Sequence, residues 1–236
     1  MNTASEYGSV PDEAVSFLLS EGFLSEQDCC MVVASGKGEF ARSVSRAVRV
    51  MVCMDARPDS LERTRNAVSG GCRAEMFERD WNTYVPSRGR YDSCLISPSR
   101  LCFENESVLR MESVSSRSCI AVIPVRSDRR KLTKALIQSS GIMVPMPGFP
   151  EPHRVPNFFK SEGRDAVLRE FTTTIECPED ELVSAMVSLC PPDIDHDELV
   201  ANAHDLASSV TSDGVSRYSA SVLVLAWNVD PTASGV

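Results

Sequence analysis

Runs of apolar residues that stop at glycine, serine or aspartate recur along this chain, with helix-like stretches between them. CCMVVA (29–34), VMVCM (50–54), AEMF (74–77), YDSCLIS (91–97) and CIAVIPV (119–125) each read as a short strand. Between them, Phe40, Val44 and Val48 fall on one helical face, and Leu61, Arg65 and Val68 recur at helical spacing after Pro58 until Gly70 and Gly71 stop the helix. Upstream, Val15, Leu18, Leu19 and Phe23 predict a leading helix, with Asp12 beside Pro11 as its cap region. Continuous apolar strands alternating with helices predict a parallel sheet covered on both faces, a doubly wound, Rossmann-like α/β fold.

The pattern changes after residue 140. Pro145, Pro147, Pro150, Pro152 and Pro156 interrupt GIMVPMPGFPEPHRVPNFFK, which predicts an ordered loop or lid. REFTTTIE (169–176) then alternates like a strand, two helices follow in PEDELVSAMVSL and DHDELVANAHDLASSV, and YSASVLVLAW (218–227) is a strong final strand. The expected organisation is a helical lead-in over 1–28, a Rossmann-like core over 29–138, a proline-rich loop or lid over 139–168, and strands and helices over 169–236 that complete the same domain.

Composition narrows the function classes. A 42% hydrophobic and 24% charged chain of 236 residues is that of a globular protein with a full core. No apolar stretch reaches the roughly 20 residues that cross a bilayer, and the start lacks the features of a signal peptide. We therefore expect a cytoplasmic protein that does not enter the membrane. The formal net charge of -9 disfavours a broad grip on nucleic acid and favours a small-molecule substrate. Nine cysteines, mostly inside apolar runs and without a C-x-x-C pair, read as reduced core thiols; neither metal nor disulfide is required.

The candidate chemistry lies at strand ends. The first strand ends in Ser35-Gly36-Lys37-Gly38, and the second ends in Asp55, 19 positions after Gly36. That spacing is near the one in nucleotide-binding βαβ units. Glycines there admit positive φ and let backbone approach a ligand; a carboxylate at the second strand's tip can accept both hydroxyls of a ribose. Asp80-Trp81 follows the third strand and Ser97-Pro98-Ser99 ends the fourth. All four features fall at the carboxyl end of the predicted sheet, where open α/β sheets bind ligands.

With VVASGKGEF, VMVCMD, ERDW and GRYDSCLISPS in place, the chain resembles the class I S-adenosylmethionine-dependent methyltransferases over residues 12–130, with a family-type tail to 229. The resemblance implies a mostly parallel seven-stranded sheet with an antiparallel late strand, and S-adenosylmethionine as cofactor. It implies that Ala34, Ser35, Gly36 and Gly38 line the methionine and ribose, that Asp55 binds the ribose hydroxyls, that Asp80 and Trp81 flank the adenine, and that Ser97 sits near the methionine end. Asp92 reads as structural, satisfying nearby backbone donors.

Two positions depart from the family pattern: Val32 and Ala34 stand where an acid and a glycine are common. They motivate a non-catalytic, methyltransferase-like binding module as one alternative. Gly36, Gly38 and Ala41 also satisfy G-x-G-x-x-A, which keeps a nicotinamide-dependent oxidoreductase as another. Should the acceptor carry a proton, His153 in the proline-rich segment is the candidate general base. Lys37 is expected to carry its charge into solvent.

Overall fold

Three of the strands form on short, nearly continuous apolar runs. In the computed structural model these are β1 (Cys29–Val33), β2 (Val50–Asp55) and β4 (Tyr91–Ile96), almost wholly buried along their length. The structure describes residues 6–85, 87–139, 163–188, 190 and 196–229. Most of the proline-rich segment, including His153, lies outside the described residues. Strand β3 (Arg73–Glu78) differs, with exposed Arg73, Glu75 and Glu78; it is the sheet's edge, where charged side chains discourage pairing with another chain.

The sheet order is β3-β2-β1-β4-β5-β8-β6, with β5 spanning Ser115–Ser127, β6 Ala166–Pro178 and β8 Val215–Asn228; a short β7 (Thr211–Ser212) pairs antiparallel with β8. Strands β1 to β5 run parallel, with Val33 opposite both Met54 and Ile96. From β1 the chain winds outward through β2 to β3, then returns to lay β4 on the other side of β1. Open α/β sheets bind their ligands at such a reversal, beyond the carboxyl ends of the strands, here those of β1 and β4.

The chain divides into two compact units. The first holds residues 9–124, 149–171 and 222–236, and with them β1 to β4 and four helices: α1 (Val10–Ser20), α2 (Glu39–Ser45), α3 (Pro58–Ala67) and α4 (Asn105–Val114). Helix α1 starts earlier than expected, so Asp12 lies in its first turn and accepts a hydrogen bond from the Ser43 hydroxyl. Pro58 opens α3, where its missing N–H is harmless. The core joins Met31, Val33, Met54, Ile96, Met111 and Trp227.

At the amino ends of the strands, buried Asp28 accepts bonds from Ser25 N–H (3.0 Å) and the Ser93 hydroxyl (3.3 Å) and pairs with the Arg117 guanidinium. Asp92 accepts the Cys29 N–H at 2.7 Å, the structural role its position suggested.

The second unit holds residues 1–8, 125–148 and 172–221. Its helices are α5 (Asp128–Ser139), α6 (Glu179–Val187) and α7 (His196–Ser208), which pack on one another. His204 on α7 hydrogen-bonds Glu179 at 2.9 Å.

Candidate functional site

Beyond β1 the backbone turns sharply. Ala34, Gly36 and Gly38 all take left-handed conformations, with φ of 54°, 56° and 80°. Ala34 thus holds, in spite of its Cβ, the conformation that a glycine would adopt freely. Its N–H donates to the Met54 carbonyl at 2.9 Å, and the Ser97 N–H donates to the Val33 carbonyl at 3.0 Å, so the turn is tied to both neighbouring strands. The Gly38 N–H closes it on the Ser35 carbonyl at 2.8 Å.

The two glycines are needed for different reasons. A Cβ on Gly38 would stand 2.9 Å from both the Thr64 Cα and the Ala67 Cβ, so this glycine lets the start of α2 approach α3. On Gly36 the nearest atom would be the Ala34 carbonyl oxygen at 3.7 Å, which leaves that face of the loop open. Ser35 is buried, and its hydroxyl accepts from Thr64 Oγ1 at 2.9 Å. Ser35 and Gly38 therefore build the loop, while Ala34 and Gly36 present its surface. Lys37 is exposed, as expected.

Asp55 closes the arrangement from β2. One carboxylate oxygen accepts the Gly36 N–H at 3.2 Å and the other accepts the Arg57 N–H at 3.0 Å. A carboxylate offers about four lone-pair directions, so two remain for further donors on this half-exposed side chain.

Asp80 is exposed, and its carboxylate caps the following turn by accepting the Asn82 N–H at 2.9 Å. Trp81 departs from expectation. The side chain is only 3% exposed, its indole N–H donates to the Ser107 hydroxyl at 3.1 Å, and the Arg110 guanidinium lies 5.7 Å from the ring centroid. Arg110 also donates to the Trp81 and Tyr84 carbonyls. Cation and hydroxyl both come from α4 and hold the indole as a core anchor, so no open aromatic face is offered there.

Ser97 is 4% exposed, and its hydroxyl has no hydrogen-bond partner among the described residues. A buried hydroxyl without a partner costs about 1–3 kcal/mol, an expense a bound ligand or water would remove. Val32 is fully buried in the core, so the first motif presents no carboxylate at that position. Thr64, Arg57, Ser107 and Arg110 support the site without carrying any motif; only the packing of α3 and α4 reveals them. Among the described residues no cluster of metal-ligating side chains occurs.

No family model matches the sequence, and no curated protein matches it. Solved structures do match in three dimensions. A candidate methyltransferase of Bacillus halodurans superposes with a TM-score of 0.60 at 13% identity, covering 92% of this chain and 98% of its own. The YcgJ protein of Bacillus subtilis does so at 0.59 and 11%, covering 92% and 99%. Magnesium protoporphyrin IX methyltransferase of Synechocystis, solved with bound SAH, gives 0.51 and 12%, covering 91% and 80%. The fold is that of the class I methyltransferases: a mostly parallel α/β sheet wrapped by helices, with a late antiparallel strand.

Proposed function

We propose that the chain is an S-adenosylmethionine-dependent methyltransferase acting on a small-molecule acceptor. The observation that carries this reading is the Asp55 carboxylate, which braces the open Gly36 turn through one oxygen and keeps lone pairs for the hydroxyls of a ribose. The fit extends to the other residues at the strand ends. Gly36 leaves room for close approach, Ala34 holds the left-handed turn, and the unpartnered Ser97 hydroxyl stands ready for a polar group at the methionine end. Asp80 is in reach of solvent for the adenine edge, and Trp81 supports that loop from beneath.

When bound, the cofactor supplies a methyl group on a sulfonium. The residues named here would bind and orient it, and proximity with alignment can supply much of such a transfer. Val32 and Ala34 lend a second reading, a binding module without turnover, because no acid at Val32 is available for the methionine amino group. The net charge of -9 supports a small acceptor over nucleic acid.

Calorimetry with S-adenosylmethionine and S-adenosylhomocysteine, using oxidised and reduced nicotinamide dinucleotides as controls, tests the cofactor class. Selective binding of the first pair is expected. Binding of the nicotinamide pair alone, or of nothing by folded protein, would overturn the reading, and methyl transfer to any acceptor would remove the second one.

A further inference from the structure

Helix α5 places a charge where its pattern calls for an apolar residue. Its buried stripe is Arg129, Thr133, Leu136 and Ile137, and Arg129 is 1% exposed. One Nη2 donor pairs with the Glu6 carboxylate at 2.9 Å, while the second Glu6 oxygen meets Arg130 Nε at 3.0 Å. Two guanidiniums thus share one carboxylate. Arg129 Nε and Nη1, which carry three of the five guanidinium protons, have no hydrogen-bond partner among the described residues.

A second buried donor lies beside them, where the Ser219 N–H next to Tyr218 donates to Asp128 next to Arg129 at 3.1 Å and ties β8 to α5. Among the described residues the Tyr218 hydroxyl on β8 also lacks a hydrogen-bond partner of good geometry; the Cys177 sulfur nearby is at most a weak acceptor, and Arg129 lies within electrostatic reach. Burial pushes this phenol up to about 12, so it stays a donor at neutral pH. Glu181 lies within electrostatic reach of Tyr218 and Cys177 and sets a limit on the positive field. All these residues belong to the second unit.

Buried donors without acceptors are rare because each forfeits its hydration. We propose that Arg129 and Tyr218 form an oxyanion site for a small ligand carrying a carboxylate or phosphate group, with Glu6 holding the guanidinium in place. The chemistry fits: a planar, permanently charged guanidinium takes oxyanions with directed hydrogen bonds, and a phenol adds one more. This site is independent of the methyl-donor reading and stands or falls separately.

The test is calorimetry and thermal unfolding of the full chain with inorganic phosphate in one arm and succinate in the other. Saturable binding with a raised midpoint is expected in one arm, and the arm that responds identifies the group. Arg129→Lys, which keeps the charge and removes the planar fork, should weaken that binding by about tenfold or more. Tyr218→Phe should weaken it several-fold, and Glu6→Gln should tighten it by removing a competing negative charge. Absence of saturable binding in both wild type and Glu6→Gln overturns the proposal, as does unchanged affinity in Arg129→Lys. If Arg129→Lys does not fold, unchanged affinity in Tyr218→Phe decides against it.

Discussion

The Asp55 carboxylate accepts the Gly36 N–H across the boundary between β1 and β2, at 3.2 Å. The acid at one strand end thereby fixes the turn at the other before any ligand arrives. Asp55→Ala should weaken binding of S-adenosylhomocysteine by about 1–3 kcal/mol. Asp55→Asn keeps one acceptor and should lose less. Calorimetry reads both, and unchanged affinity in the alanine variant would remove the ribose assignment.

Ala34 is held at φ 54°, a conformation that costs an L-residue about 1–2 kcal/mol. Glycine relieves that strain but gives back about 0.5–1 kcal/mol in unfolded-chain entropy. Ala34→Gly should therefore be slightly stabilising, raising the thermal midpoint by about 2 °C. A lowered midpoint would show that the alanine methyl contributes packing that outweighs the strain.

The two loop glycines should fail differently. Gly38→Ala drives a methyl into the α3 backbone at 2.9 Å and should lower stability by about 2 kcal/mol or more, read by urea unfolding. Gly36→Ala meets open space and should cost less stability, with its larger effect on donor affinity. Equal losses of stability would contradict this division.

Removing Asp28 should separate stability from ligand binding. Asp28→Ala leaves the partly exposed Arg117 guanidinium and buried donors without their acceptor, a loss of about 3 kcal/mol. Because Asp28 lies at the amino ends of the strands, the affinity for S-adenosylhomocysteine of the remaining folded protein should be unchanged.

Alkaline pH should weaken the fold through its thiols. Burial pushes Cys30, Cys53 and Cys102 up to about 12, from an ordinary value of 9.0. Below pH 9 both folded and unfolded states keep these protons. As pH rises through 9 toward 12 the unfolded state loses them first, so stability falls across that window. Urea midpoints measured from pH 8 upward should decline, more steeply than for a variant with Cys30 and Cys53 replaced by alanine. A thiol reagent at pH 8 should reach Cys29, Cys72 and Cys190 before the six buried cysteines.

The parallel strands were legible in the sequence because β1, β2 and β4 are buried along their length and so leave unbroken apolar runs. The order of features at the sheet's carboxyl end followed from them. Helix α4 was not, because its inner face includes Ser107 beside Val108, Met111 and Val114, which dilutes the apolar stripe. Strand β5 reaches back to Ser115 through a polar start that only its pairing with β4 makes a strand. At the site, residue types pointed to the turn and the acid, yet the direction of each side chain depended on distant partners. Ser35 turns toward Thr64, and Trp81 is captured by Ser107 and Arg110, contacts between segments that no local spacing encodes.

Ala34 also bears on which residues such a turn can hold. Neighbouring strands grip the turn on both sides, through the Ala34 N–H on the Met54 carbonyl and the Ser97 N–H on the Val33 carbonyl. Shape at that corner is therefore inherited from the sheet rather than from the residue occupying it. A corner held in this way accepts an alanine where a glycine would be the easier choice.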